Sequence, residues 1–181
     1  VPMDLPPEVL RAELWAQIGA LCAIGKVRGW PVTHVKPHGA LYMTVAGDSE
    51  LSEHLIDAMQ RIGPDLFFYC MHIAKTCDIA RKAGQPIIRE FYADRDYNTS
   101  GSIVFARKMR KLDPHEVADK CLRACSEGKV MTVDGEEIDI EFESICFHSD
   151  TAGALAIGKA VRKALTDNGV TIARPVASKD S

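Results

Sequence analysis

The chain has 181 residues, 46% apolar and 26% charged, the balance of one soluble globular domain rather than of a disordered, collagen-like or disulfide-built chain. A net charge of −3 and a pI near 6.1 leave no electrostatic footprint for nucleic acid or a membrane surface. No apolar run approaches the roughly 20 residues that span a bilayer, and no basic, then apolar, then small-residue leader precedes the first helix. The six cysteines lie mainly inside apolar periodic runs and form no C-x-x-C pair, so they read as reduced buried thiols of a cytoplasmic protein.

Leu10, Leu14, Ile18 and Leu21 recur at helical spacing, predicting a helix from about Pro6 to Gly29. A short strand, Val32 to Lys36, is stopped by Pro37. Leu51, Leu55 and Met59 then predict a helix over 49–62, closed by Gly63-Pro64. Leu66 to Cys70 reads as a buried strand, Ile73 to Ala83 as a helix with Gly84 at its stop, and Pro86 to Phe91 as the next strand. The polar segment from Tyr92 to Leu112 is too long for an idle connection and is a candidate functional loop. Asp113-Pro114-His115-Glu116 combines an N-cap, a first-position proline and an acid three residues on, which starts a helix ending near Gly128. Lys129 to Glu141 reads as a hairpin around Asp134-Gly135. Ser144 to Phe147 is the last strand, followed by a helix from about Thr151 to Asn168 and a polar tail over 174–181.

Strands alternating with helices call for a parallel sheet with helical cover. Functional groups in such folds collect just beyond the C-terminal ends of the strands. Each exit here carries chemistry: His34, Lys36 and His38 after the first, His72 after the second, Glu90, Asp94, Arg95, Asp96 and Tyr97 around the third, and His148, Asp150 and Thr151 after the fourth. Pro37 keeps Lys36 extended, and Gly39 lets the backbone turn. Asp150 has a plain alternative as a helix N-cap. Gly153 to Ala160 imitates a phosphate-binding loop, yet Ala160 lacks the hydroxyl for Mg²⁺ and the segment continues a helical stripe. Cys121 and Cys125, one turn apart, have no histidine or second pair to complete a zinc site.

His34-Val35-Lys36-Pro37-His38-Gly39-Ala40-Leu41-Tyr42, Glu90-Phe91-Tyr92-Ala93-Asp94-Arg95-Asp96-Tyr97 and Ile145-Cys146-Phe147-His148-Ser149-Asp150-Thr151 resemble, in order, three C-terminal motifs of the LamB/YcsF family. That family corresponds to the A component of prokaryotic 5-oxoprolinase. Met43, Tyr92, Ser149 and Ala152 depart from its usual residues, and the resemblance covers only the later two-thirds of a family member.

The resemblance implies an α/β fold, a partial (β/α) barrel of the glycoside hydrolase/deacetylase type with about four parallel strands plus a small hairpin. Residues 1–173 would form one incomplete barrel domain. It also implies ATP-dependent opening of 5-oxo-L-proline to L-glutamate, with ATP and Mg²⁺ as cofactors and the B and C subunits as partners. His38, Glu90, Asp94, His148 and Asp150 are the candidate catalytic groups, and Lys36, Arg95 and Tyr97 the candidate substrate- or phosphate-binding groups. A metal-dependent deacetylase or glycan hydrolase using His38, His148 and Asp150 as ligands is an alternative, as is a non-catalytic scaffold. Four parallel strands cannot close a barrel, so the chain alone is expected to be catalytically silent. It would then either pair its open sheet edges with another copy or a partner, or be marginally stable and aggregation-prone.

Overall fold

The computed structural model describes residues 6–104 and 111–175, which divide into two compact units at Arg89/Glu90.

The first unit opens with α1 (Pro7–Val27), which starts behind Pro6 and buries Leu10, Leu14 and Ile18. Leu21, expected on the same face, is 61% exposed. Gly25 accommodates the chain as it turns back: a Cβ there would lie 2.5 Å from the Trp30 carbonyl oxygen. The first strand is only β1 (His34–Val35). An unforeseen helix, α2 (Ala40–Gly47), follows Gly39, whose φ of 60° is open to glycine at little cost. Its sequence is apolar nearly all round, so it carries no helical stripe to read.

Next comes α3 (Ser49–Ile62), capped by the Asp48 carboxylate, which accepts from the Leu51 amide at 3.1 Å. Leu55, Ile56 and Met59 are buried along it. β2 (Phe67–Cys70) and α4 (Lys75–Lys82) complete the unit's local pattern. α3 packs against α1 and α4, and α2 lies against α3 and α4.

β3 (Ile87–Tyr92) crosses the division between the units. Its first half pairs with β2, and its second half pairs with β8 (Ser144–Cys146) of the second unit. The three ladders of this four-stranded sheet are parallel, in the order β1-β2-β3-β8.

In the second unit, the long polar segment after β3 contains an antiparallel pair, β4 (Asp96–Tyr97) and β5 (Ile103–Val104). Residues 105–110 of that segment lie outside the described residues, as does 176–181 of the expected tail. α5 (Pro114–Glu127) starts at Asp113, whose carboxylate accepts from the His115 amide at 2.7 Å, and stops at left-handed Gly128. The hairpin β6 (Lys129–Met131) and β7 (Glu137–Asp139) turns at Gly135 as expected. α6 (Ala154–Asp167) packs against α5 and buries Ile157, Val161 and Leu165.

Candidate active site

The parallel register of β3 and β8 builds the site. Glu90 faces Ser144 and Tyr92 faces Cys146, a constant offset of 54 residues. The ladder runs on past β3 through the Ala93 amide, which donates to the Cys146 carbonyl at 2.8 Å. The same offset sets Asp94 beside His148.

Asp94 is a fully buried carboxylate, its side chain 0% exposed, surrounded by donors. One oxygen, Oδ2, accepts from the His148 amide at 2.9 Å, the Thr151 hydroxyl at 2.5 Å and Arg95 Nη1 at 3.0 Å. The other, Oδ1, meets His148 Nδ1 at 2.9 Å. Burial alone would raise its pKa, but bonds from the Thr151 hydroxyl, the His148 amide and the His148 ring outweigh it and hold Asp94 below the usual carboxylate value. A buried charge is stable only when so paired and bonded.

An ionised carboxylate only accepts, so Nδ1 of His148 carries the hydrogen toward Asp94. In the neutral ring, Nε2 then keeps the lone pair. The His148 side chain is 28% exposed, whereas Arg95 is 12% exposed and locked. Arg95 Nη1 also donates to the Asp94 carbonyl at 3.0 Å and to Thr151 Oγ1 at 3.2 Å. The Tyr92 ring stacks on the His148 imidazole at 5.9 Å, and its hydroxyl donates to Glu90 Oε2 at 3.0 Å. Chemically, this is an imidazole oriented and electrostatically supported through Nδ1 by a buried carboxylate, with its side chain partly exposed.

The structure thus brings together Asp94, Arg95 and His148, with Glu90 joined to them through Tyr92. Tyr97 has a different place from the ligand-facing one expected. It is buried, its hydroxyl accepts from the Tyr92 amide at 2.7 Å, and burial pushes its pKa upward. That is the setting of a core side chain. Asp150 is exposed and caps no helix: α6 has Gly153 at its N-cap and no side-chain cap. Its neighbour Thr151 supplies the contact to Asp94, and the 3.2 Å turn bond from the Thr151 amide to the His148 carbonyl shows how. Residues 148 and 151 share one side of a turn, a spacing visible in the sequence.

Lys36 and His38 belong to the first unit, both exposed, with Lys36 Nζ 5.7 Å from the Tyr42 ring centroid. Tyr92 and Lys120 are participants that sequence reading leaves out of the site, and it gives Thr151, at the fourth strand exit, no role there.

The false phosphate loop is resolved by packing. Gly158 lies within α6, where a Cβ would come 2.7 Å from the Phe147 ring, so this glycine serves a close helix contact. The described residues therefore offer no phosphate loop at 153–160. Among them, no three His, Cys, Asp or Glu side chains cluster as a metal would require. No helix among them is long and apolar enough to cross a membrane.

The family model described as the LamB/YcsF family matches residues 1–180. The chain belongs to that family. Its sequence is 48% identical over 173 residues to 5-oxoprolinase A component 2 of Pseudomonas syringae pv. tomato, covering 96% of this chain and 69% of that protein. To 5-oxoprolinase A component 1 of Pseudomonas aeruginosa it is 52% identical over 159 residues, covering 88% of this chain and 63% of that protein. The chain spans about two thirds of the length of these curated relatives. Its α/β fold with a parallel four-stranded sheet matches the crystal structure of a lactam utilization protein from Thermus thermophilus. The TM-score is 0.86 at 35% identity, over 93% of this chain and 68% of that one. This match agrees with a partial barrel.

Proposed function

We propose that the chain serves as the A component of a cytoplasmic 5-oxoprolinase, opening 5-oxo-L-proline to L-glutamate in an ATP-dependent reaction with the B and C subunits as partners. The names of its relatives support the substrate class. The observation that carries the chemistry is the buried, ionised Asp94 holding Nδ1 of the partly exposed His148.

A lactam carbonyl is a poor electrophile, and a phosphoryl group from ATP on its oxygen would supply the leaving group. We assign that step to the partner subunits, a reading supported by the helical course of Gly153–Ala160. The residues of this chain act on water. His148 Nε2 removes a proton from the water that adds to the carbonyl carbon, while Asp94 stabilises the imidazolium that forms. The ring C–N bond then breaks and the imidazolium returns its proton to the departing nitrogen, which becomes the amine. The acyl phosphate left on the former carbonyl carbon is attacked by a second water, and inorganic phosphate departs to give L-glutamate. Arg95 and Thr151 keep Asp94 ionised and aimed.

The test is glutamate release by the full-length protein assembled with its partners and supplied with ATP. His148→Ala is expected to lower kcat by about 10² or more, as befits loss of a general base. Wild-type turnover in that variant would reduce His148 to a structural residue. A polypeptide limited to these 181 residues is expected to release no glutamate on its own, and measurable release with ATP alone would overturn the dependence on partners.

A further inference from the structure

Four successive carbonyls at the end of β3 point at cations. Those of Tyr92 and Ala93 each accept from Lys120 Nζ at 3.3 Å, and that of Arg95 accepts from it at 2.5 Å. The carbonyl between them, on Asp94, accepts from Arg95 Nη1 at 3.0 Å. Lys120 reaches this bend from α5, and its ammonium also lies 5.3 Å from the Phe91 ring centroid and 5.2 Å from that of Tyr97.

This is a built cation cradle. An ammonium carries three donors and no acceptor, so three converging carbonyls match it. Aromatic faces add favourable quadrupole attraction where water is scarce. The need for it follows from the backbone: residues leaving a parallel ladder lose their partners, and a buried carbonyl left unbonded is costly. Lys120 answers that need on both sides of Asp94. The carboxylate's direction is set by the main chain of residues 93–95, and that main chain is held from α5.

We infer that Lys120 is a positioning residue for the Asp94–His148 pair, pinning the backbone that flanks Asp94 so that its carboxylate meets His148, and acting without contact to substrate. This rests on the reading of His148 as the base. A glutamine at 120 would offer two donors in one plane, and an arginine a flat fork, so neither reproduces three carbonyls converging on one nitrogen.

The experiment uses the full-length protein assembled with its partner subunits. Lys120→Ala is expected to lower kcat by about 10- to 100-fold, the scale of a misplaced catalytic group, while KM for 5-oxoproline changes by less than about twofold. A cleft lined by Asp94, Arg95, Asp96, Leu112, Glu116 and Lys120 adjoins the cradle and gives a small amine a route to it. Added n-propylammonium is therefore expected to restore kcat, and tetramethylammonium, which has the charge but no N–H donor, to restore none. Wild-type kcat in Lys120→Ala, a loss confined to KM, or equal effects of the two amines would each overturn the proposal.

A second readout does not need turnover. Ring ¹⁵N spectra of His148 in the full-length protein should show the Nδ1–H tautomer, and Lys120→Ala should mix the tautomers. An unchanged spectrum would sink the role of Lys120, whereas mixed tautomers in a protein whose wild type fails to open 5-oxoproline would fell the functional reading alone. Should Lys120→Ala not fold, Lys120→Met keeps the stem against both rings and takes its place. Failure of both to fold would make Lys120 a residue of the fold and refute the positioning role.

Discussion

The two units bury polar groups in opposite styles. In the first, the buried polar side chains are neutral and serve the backbone. The hydroxyls of Ser52 and Thr76 both donate to the Val45 carbonyl, at 2.6 and 2.8 Å, and Gln85 bridges Gln60 and the carbonyls of Pro64 and Leu66. In the second, buried or half-buried charges of both signs meet beyond β3: Asp94, Arg95 and Lys120, with Glu90 nearby. A neutral hydroxyl inside a protein secures a turn. An ionised carboxylate inside a protein, ringed by donors, stores an electrostatic field that can favour a developing imidazolium, which is why the proposed chemistry is assigned to the second unit.

The sharpest break of that contrast is Asp94→Asn in the assembled full-length enzyme. The amide can turn its NH₂ toward His148 Nδ1 and select the wrong tautomer, so kcat should fall by at least about 10²-fold. Glutamate release measures it, and a rate near wild type would show that the buried charge is idle. Leu55→Ala tests the first unit. Leu55 is fully buried, and the cavity should cost about 2–5 kcal/mol in denaturant unfolding with little change in kcat of the folded fraction.

Ser52→Ala should cost less, about 1–3 kcal/mol, for the buried hydroxyl bond to the Val45 carbonyl that it removes. A larger loss of activity than of stability there would erase the distinction between the units. The pH response sharpens the contrast further. Asp94 is held below the usual carboxylate value in the folded chain by the bonds around it, so its stabilisation is present above the unfolded value and is lost as pH falls through the lower, folded one. Wild type should therefore lose its stability advantage over Asp94→Asn only below about pH 4, as read from thermal unfolding across pH. Smallest is Arg61→Gln, which removes an exposed i,i+4 pair with Asp57 at 3.0 Å and should leave the melting curve unmoved.

Much of this was local and therefore legible in the chain. The Asp113-Pro114 start, the Leu55/Met59 stripe of α3 and the Asp134-Gly135 turn each depend on neighbours within a few residues, whose periodicity and φ preferences are written side by side. The strand-exit rule was enough to select Asp94, Arg95 and His148 as candidates. It could not separate Thr151, which bonds Asp94, from Asp150, which is exposed, because a side chain's direction in a turn follows from how the turn is docked. Leu21 was misjudged for the same reason: a helical stripe says what could be buried, not what packs over it.

Composition, periodicity and the three motifs determined the alternation of elements, the family and the residues capable of chemistry, since all of these are carried by residue type and short-range spacing. Tertiary structure alone decided the 54-residue register that seats His148 beside Asp94, the stacking of Tyr92 on the imidazole, and the reach of Lys120 from α5 to three carbonyls. Those contacts join residues 25 to 56 positions apart. Their strength comes from the exclusion of water, which no local pattern specifies until the strands have paired and the helices have covered them.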